Sequence, residues 1–146
     1  MSSKYLILAL LACLSVSPLS AKEWQVKMLS YGDAGSMVFE PAFLQAEVGD
    51  SVTFVPSQSG HFVKSYVVPE GASGWASKMD QAYTITLDQQ GLFLYYCPPH
   101  LMMGMVGLIQ VGEAVNKATF EQKYPRLRAK VALSPERVDA VVAQIK

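Results

Sequence analysis

Leu92-Phe93-Leu94-Tyr95-Tyr96-Cys97-Pro98-Pro99-His100-Leu101-Met102-Met103-Gly104-Met105-Val106-Gly107-Leu108-Ile109-Gln110-Val111 is the stretch on which the fold turns. Its two ends, Leu92 to Tyr96 and Gly104 to Val111, are rich in aromatic and aliphatic residues and read as strands. Between them, Cys97 to Met105 brings a thiolate, an imidazole and a thioether within nine residues. Upstream, Gly60-His61-Phe62 supplies the only other histidine of the chain. Two imidazoles, one thiolate and a thioether form the soft donor set of a blue-copper site.

Working outward, the period remains that of strands. Trp24 to Met28, Phe43 to Val48 and Ser51 to Val55 fit the pattern, and Gly49-Asp50 reads as a hairpin turn between the latter two. Ala82 to Leu87 alternates cleanly with Tyr83, Ile85 and Leu87 inward, and Gln89-Gln90-Gly91 turns the chain into Leu92. Short strands divided by Gly, Pro, Asp and Ser predict an all-β chain built as a Greek-key β-sandwich, whose loops gather at its two ends. His61 follows one strand and Cys97 to Met105 links the last two, so both are expected at one pole. After Gly112 the period becomes helical. Ser134-Pro135-Glu136 predicts an N-cap with proline at the first helical position, followed by an apolar stripe of Val138, Val141, Val142 and Ile145. A weaker helix is expected from Val115 to Tyr124, stopping at Pro125.

The chain divides into three parts on this reading: an export signal over residues 1–21, a sandwich holding the metal over 22–112, and a helical extension over 113–146 packed on the sandwich. Met1-Ser2-Ser3-Lys4, the apolar run Tyr5 to Ala12 and the small residues ending at Ala21 are the marks of a secretory signal, too short to be a membrane span. Cleavage after Ala21 is expected. The rival is lipoprotein processing at Cys13, within Leu10-Leu11-Ala12-Cys13. Without residues 1–21 the chain keeps eleven Lys plus Arg against twelve Asp plus Glu, and one cysteine. This balance argues against nucleic acid or an anionic membrane surface as partner. The charge is uneven, because Lys22 to Gly112 is acidic and Glu113 to Lys146 basic. At 146 residues and 51% hydrophobic content the chain can bury a core without disulfides, and a lone Cys97 in an oxidising compartment has no partner to pair with.

Singly, each donor has an ordinary reading: His61 as a surface or core histidine, Cys97 as a small buried hydrophobe, Met102, Met103 and Met105 as packing. Together they have the spacing Cys-x2-His-x4-Met, in which Pro98 and Pro99 stiffen a tight loop and leave few backbone donors pointing inward. Zinc competes for Cys plus two His, yet its usual fourth ligand is Cys, His or a carboxylate. A nucleophilic Cys–His pair would lack an orienting third group and oxyanion donors. A saturated set of four donors leaves no open position for substrate, which points away from an enzyme.

With these residues, Gly35-Ser36-Met37-Val38-Phe39-Glu40-Pro41, Gly60-His61, Cys97 to Met105, Met105 to Gly112 and the helical tail, the chain resembles the pseudoazurins over essentially its whole length beyond the signal. The resemblance implies a cupredoxin sandwich with one type 1 copper, held by His61, Cys97, His100 and axial Met105. It implies a periplasmic one-electron carrier, serving a respiratory or denitrification reductase, and places Met37 beside the exposed ligand histidine. The family's Asn after the first ligand His is Phe62 here, so a side-chain tie between the ligand loops is lost. Lysines that ring the copper end in the family are replaced by Tyr31, Ser59 and Tyr96, leaving Lys27, Lys64 and Lys78. A monomer docking transiently through Pro98, Pro99, Leu101, Met102 and Tyr31 around His100 is expected. The alternative is a module for Cu(I) storage or delivery that uses Met37, Met102, Met103 and Met105.

Overall fold

The computed structural model describes residues 20–146. Cys13 and all but the last two residues of the expected signal lie outside them. The order is β1 (Glu23–Gly32), β2 (Gly35–Glu40), β3 (Phe43–Ala46), β4 (Ser51–Pro56), β5 (Lys64–Val67), β6 (Tyr83–Thr86), β7 (Gly91–Tyr96), a 3₁₀ turn (Pro98–Met103), β8 (Val106–Val111), α1 (Lys117–Arg128) and α2 (Pro135–Val142). Two four-stranded sheets form, β2-β1-β4-β6 and β3-β8-β7-β5. Each contains one parallel pair, β1 with β4 and β3 with β8, and is otherwise antiparallel.

The two sheets differ in what covers them. Val26 and Met28 of β1, Val52 and Phe54 of β4 and Ile85 of β6 point into a core shared with Phe93, Tyr95, Ile109 and Val111. Their neighbours along β4 and β6, such as Thr53 and Thr84, face outward and share a hydroxyl hydrogen bond of 2.8 Å. β7 and β8 are instead buried on both faces, which explains their unbroken apolar run. Their second face, Leu92, Leu94, Val106 and Leu108, packs against Phe120 and Leu127 of α1, Val131, and Val138 and Val141 of α2.

Three local expectations are corrected. Gly49-Asp50 is not a hairpin, because β3 and β4 belong to different sheets. Asp50 is a buried hub instead: its carboxylate accepts from Lys22 N at 2.8 Å, Trp24 Nε1 at 2.9 Å and Glu47 N at 3.0 Å, turning the chain from one sheet to the other. Helix α1 does not stop at Pro125 but runs through it to Arg128. Leu127, two residues beyond the proline, is buried against the second sheet, and Arg128 Nε lies 2.7 Å from Asp139 Oδ1 in an exposed ion pair that adds less. At α2, Pro135 does open the helix, but Ser134 is left-handed (φ 54°) and its side chain caps nothing. The amide of Arg137 donates to the Ser134 carbonyl at 3.1 Å.

Candidate metal centre

At the end of β7 the chain leaves the sheet at Cys97, whose backbone is still extended (φ −94°, ψ 112°). Pro98 and Pro99 then start a 3₁₀ turn, for which their restricted φ is suited, and Gly104 ends it in the left-handed region at φ 80°. The expected tight loop is therefore two short turns of 3₁₀ helix whose ends meet. Cys97 N donates to Met105 O at 3.0 Å, His100 N to Cys97 O at 3.0 Å and Met105 N to His100 O at 3.2 Å. Cys97 and Met105 are fully buried, and His100 is half-buried.

The second segment arrives after β4. His61 is fully buried, and its Nδ1 lies 3.9 Å from Cys97 Sγ, while His100 Nδ1 lies 3.5 Å from the same sulfur. The two imidazole centroids are 4.9 Å apart, with ring planes 60° to each other. Among the described residues His61, Cys97 and His100 form a cluster of metal-competent donors, all within 4.8 Å of one another. No carboxylate belongs to it, so the donors are two imidazole nitrogens and one sulfur, a set that fits copper. Both rings present Nδ1 to the sulfur.

Two residues that the sequence reading missed hold His61. Ser30 Oγ is hydrogen-bonded to His61 Nε2 at 3.0 Å, and Gln58 Oε1 in turn accepts from the amides of Ser30 and Tyr31 at 2.6 and 3.0 Å. Asp80 Oδ1 accepts from Gly60 N at 2.7 Å and His61 N at 3.1 Å, and Asp80 N donates to His61 O at 2.9 Å. Asp80 adopts φ 55°, a conformation that Asp tolerates better than most residues. Neither carries a sequence signal, since Ser30 is 31 and Asp80 is 19 residues from the histidine it serves.

Electrostatics suit a metal ligand set. Burial pushes the His61 pKa down, helped by the nearby His100, while the Asp80 charge opposes the shift. Burial likewise pushes the Cys97 thiol up, with backbone N–H groups of Phe62 and His100 pulling the other way.

Of the remaining predicted residues, Met37 is half-buried against the core cluster containing Cys97 and Met105, with φ 52°. Pro98 and Leu101 are half-buried, and Pro99 and Met102 are exposed, Met102 by 60%. Tyr31, next to Ser30, is 76% exposed.

Residues 26–112 match the family model described as copper binding proteins, plastocyanin/azurin family. The chain is 42% identical over 135 residues to a pseudoazurin of Paracoccus pantotrophus, covering 88% of each chain. It is 33% identical over 138 residues to a pseudoazurin of Methylorubrum extorquens, covering 93% of this chain and 90% of the relative. Among solved structures, native pseudoazurin from Hyphomicrobium denitrificans superposes with a TM-score of 0.71 at 32% identity, covering 85% of this chain and 98% of the other. Sequence, sandwich and donor set agree: this chain belongs to the pseudoazurins, copper-binding cupredoxins of the plastocyanin/azurin family.

Proposed function

We propose that this chain is a periplasmic one-electron carrier in which His61 Nδ1, Cys97 Sγ and His100 Nδ1 would hold one copper, with the buried thioether of Met105 as the fourth and weakest donor. The supporting observation is the cluster itself: two nitrogens and one sulfur within 4.8 Å, two of the three residues fully buried. When bound, copper in such a set supplies a reversible one-electron couple. The chain's own residues do the rest. Ser30 Oγ is hydrogen-bonded to His61 Nε2, and a metal on Nδ1 requires the tautomer in which Nε2–H donates to that hydroxyl. Asp80 holds the backbone of His61 from both sides, and the closed turn holds Cys97 and His100. Buried Cys97 and Met105 exclude water.

His100, the half-buried member, is the electron port. Pro98, Pro99, Leu101, Met102 and Tyr31 form an apolar rim suited to brief contact with redox proteins, respiratory or denitrification reductases among them, as a monomer. Such interfaces are small, often below about 1,200 Å² in total. Export through residues 1–21 supplies the compartment. Among the described residues no helix is long and apolar enough to cross a membrane.

Copper loading tests the reading. The Cu(II) protein is expected to be intensely coloured, to bleach on one-electron reduction and to release copper slowly to a Cu(I) chelator. Colourless Cu(II) protein with rapid copper loss would instead indicate storage or delivery through Met37, Met102, Met103 and Met105.

A further inference from the structure

The helical extension touches the metal loop at a place that neither the sandwich nor the ligand set requires. The segment between α1 and α2 sends two backbone donors into the 3₁₀ turn, Ala132 N and Leu133 N, each 2.9 Å from Met102 O. One turn later, on α2, the half-buried Arg137 adds its guanidinium. Arg137 Nη2 lies 2.7 Å from Met103 O and 3.1 Å from Met37 O, and Nη1 lies 3.5 Å from Ala34 O. Three carbonyls from three segments thus share one side chain: the β1–β2 turn, the left-handed residue Met37 on β2, and the turn between His100 and Met105.

Among the described residues the guanidinium has no carboxylate partner, and Arg128 with Asp139 makes the one salt bridge. A charged fork spent on carbonyls rather than on a carboxylate is placed for geometry, since five fixed donors can hold several acceptors in one arrangement. The packing is close at the same point. A Cβ on Gly104 would meet Leu133 O at 3.2 Å, Ser134 O at 3.3 Å and Arg137 Nη2 at 3.4 Å. The extension therefore lies directly on the glycine that ends the ligand turn, and Ser134 takes its left-handed conformation there.

We infer that the C-terminal extension is a brace for the metal-ligand loop and that Arg137 is its positioning residue, fixing the His100–Met105 turn relative to Met37. The inference rests on the copper-carrier reading and adds residues to it. Arg137 touches neither donor nor metal; it acts through the carbonyls of Met103 and Met37. The Ala132 and Leu133 amides hold the other side of the turn. Copper affinity and the electronic state of the centre then depend on a helix outside the sandwich.

The experiment compares copper-loaded wild type, Arg137→Gln and Arg137→Lys. The readouts are the Cu(II) absorption and electron spin resonance spectra, the rate of copper loss to a chelator, and the thermal midpoint of each copper-free protein. Arg137→Gln is expected to alter both spectra and weaken copper binding by roughly tenfold, the scale on which outer partners act on metal sites. Arg137→Lys, with one compact donor group, should fall between. It decides the matter alone if the Gln variant does not fold. Spectra and copper-loss rates equal to wild type in the folded variants, even with a lowered midpoint, would reduce Arg137 to a structural residue and overturn the brace. A colourless wild type would overturn the carrier reading and the brace with it, whereas a blue wild type with unaltered variants overturns the brace alone.

Discussion

A hydroxyl 31 residues from His61 occupies one of its ring nitrogens while the other faces the Cys97 sulfur. With Ser30 on Nε2, Nδ1 is left facing the sulfur; without it the ring can rotate or take the other tautomer. Ser30→Ala should therefore weaken copper binding by roughly tenfold, with little change in the thermal midpoint of the copper-free protein, as competition with a chelator and a melting curve would show. Equal affinities would mean that packing alone orients the ring. The cluster of His61, Cys97 and His100 was legible because Cys97 and His100 sit at a short, chemically distinctive spacing in one loop and His61 is the chain's only other histidine. Ser30 and Asp80 were not, because serine and aspartate are common and these two reach the site only through the pairing of distant strands.

Among the elements, β7 and β8 carry the site, and the glycine between their side chains is not incidental. A Cβ on Gly107 would lie 2.4 Å from the Tyr95 ring, which is itself wedged 4.9 Å from both Phe39 and Phe54. Gly107→Ala must displace a fully buried tyrosine two residues before Cys97. It is expected to cost about 1–3 kcal/mol in denaturant unfolding, in the range for overpacked cores. The helices answer to a different force. Arg128 beside Asp139, together with the Tyr124 hydroxyl 2.9 Å from Asp139 Oδ1, holds the Asp139 carboxyl down from an ordinary 3.8 to about 2. A lowered carboxyl pKa adds stability that is full above the unfolded value and vanishes as pH falls through the folded one. The stability gap between wild type and Asp139→Asn should thus persist above about pH 4 and close toward about pH 2 in acid titration melts. A gap independent of pH would contradict the ion pair. Burial of Leu127 beyond Pro125, more than this exposed pair, carries α1 past the proline, which local propensity could not reveal. Strand existence was readable from the alternation of Tyr83, Ile85 and Leu87, whereas strand partners were not. Gly49-Asp50 looks the same in a hairpin as in a crossing between sheets.

Over the whole molecule, two sheets and a helical layer enclose two apolar clusters, and the metal centre lies at one pole with His100 half-buried. Beyond residue 21 the chain carries eleven basic and twelve acidic residues, and the proposed docking rim of Tyr31, Pro98, Pro99, Leu101 and Met102 contains no charged side chain. Steering by opposite charge, which can raise association rates by about 10 to 10³-fold, should contribute little here. Electron-transfer rates with the natural partner are therefore expected to change only gently with ionic strength in stopped-flow mixing; a steep fall between low and physiological salt would place an undetected charged patch at the interface. The family was legible in the sequence because the loop and its flanking strands form one continuous signal; the role of the extension was not, because its contacts run through backbone carbonyls. The central claim, a copper held by Cys97 and two histidines for electron transfer, is tested most directly by the absorption and electron spin resonance spectra of copper-loaded wild type beside Cys97→Ser. Copper-loaded wild type is expected to show an intense colour that bleaches with one electron per chain, and the serine variant to lack it. Colourless wild type, or an equally coloured serine variant, would contradict that claim.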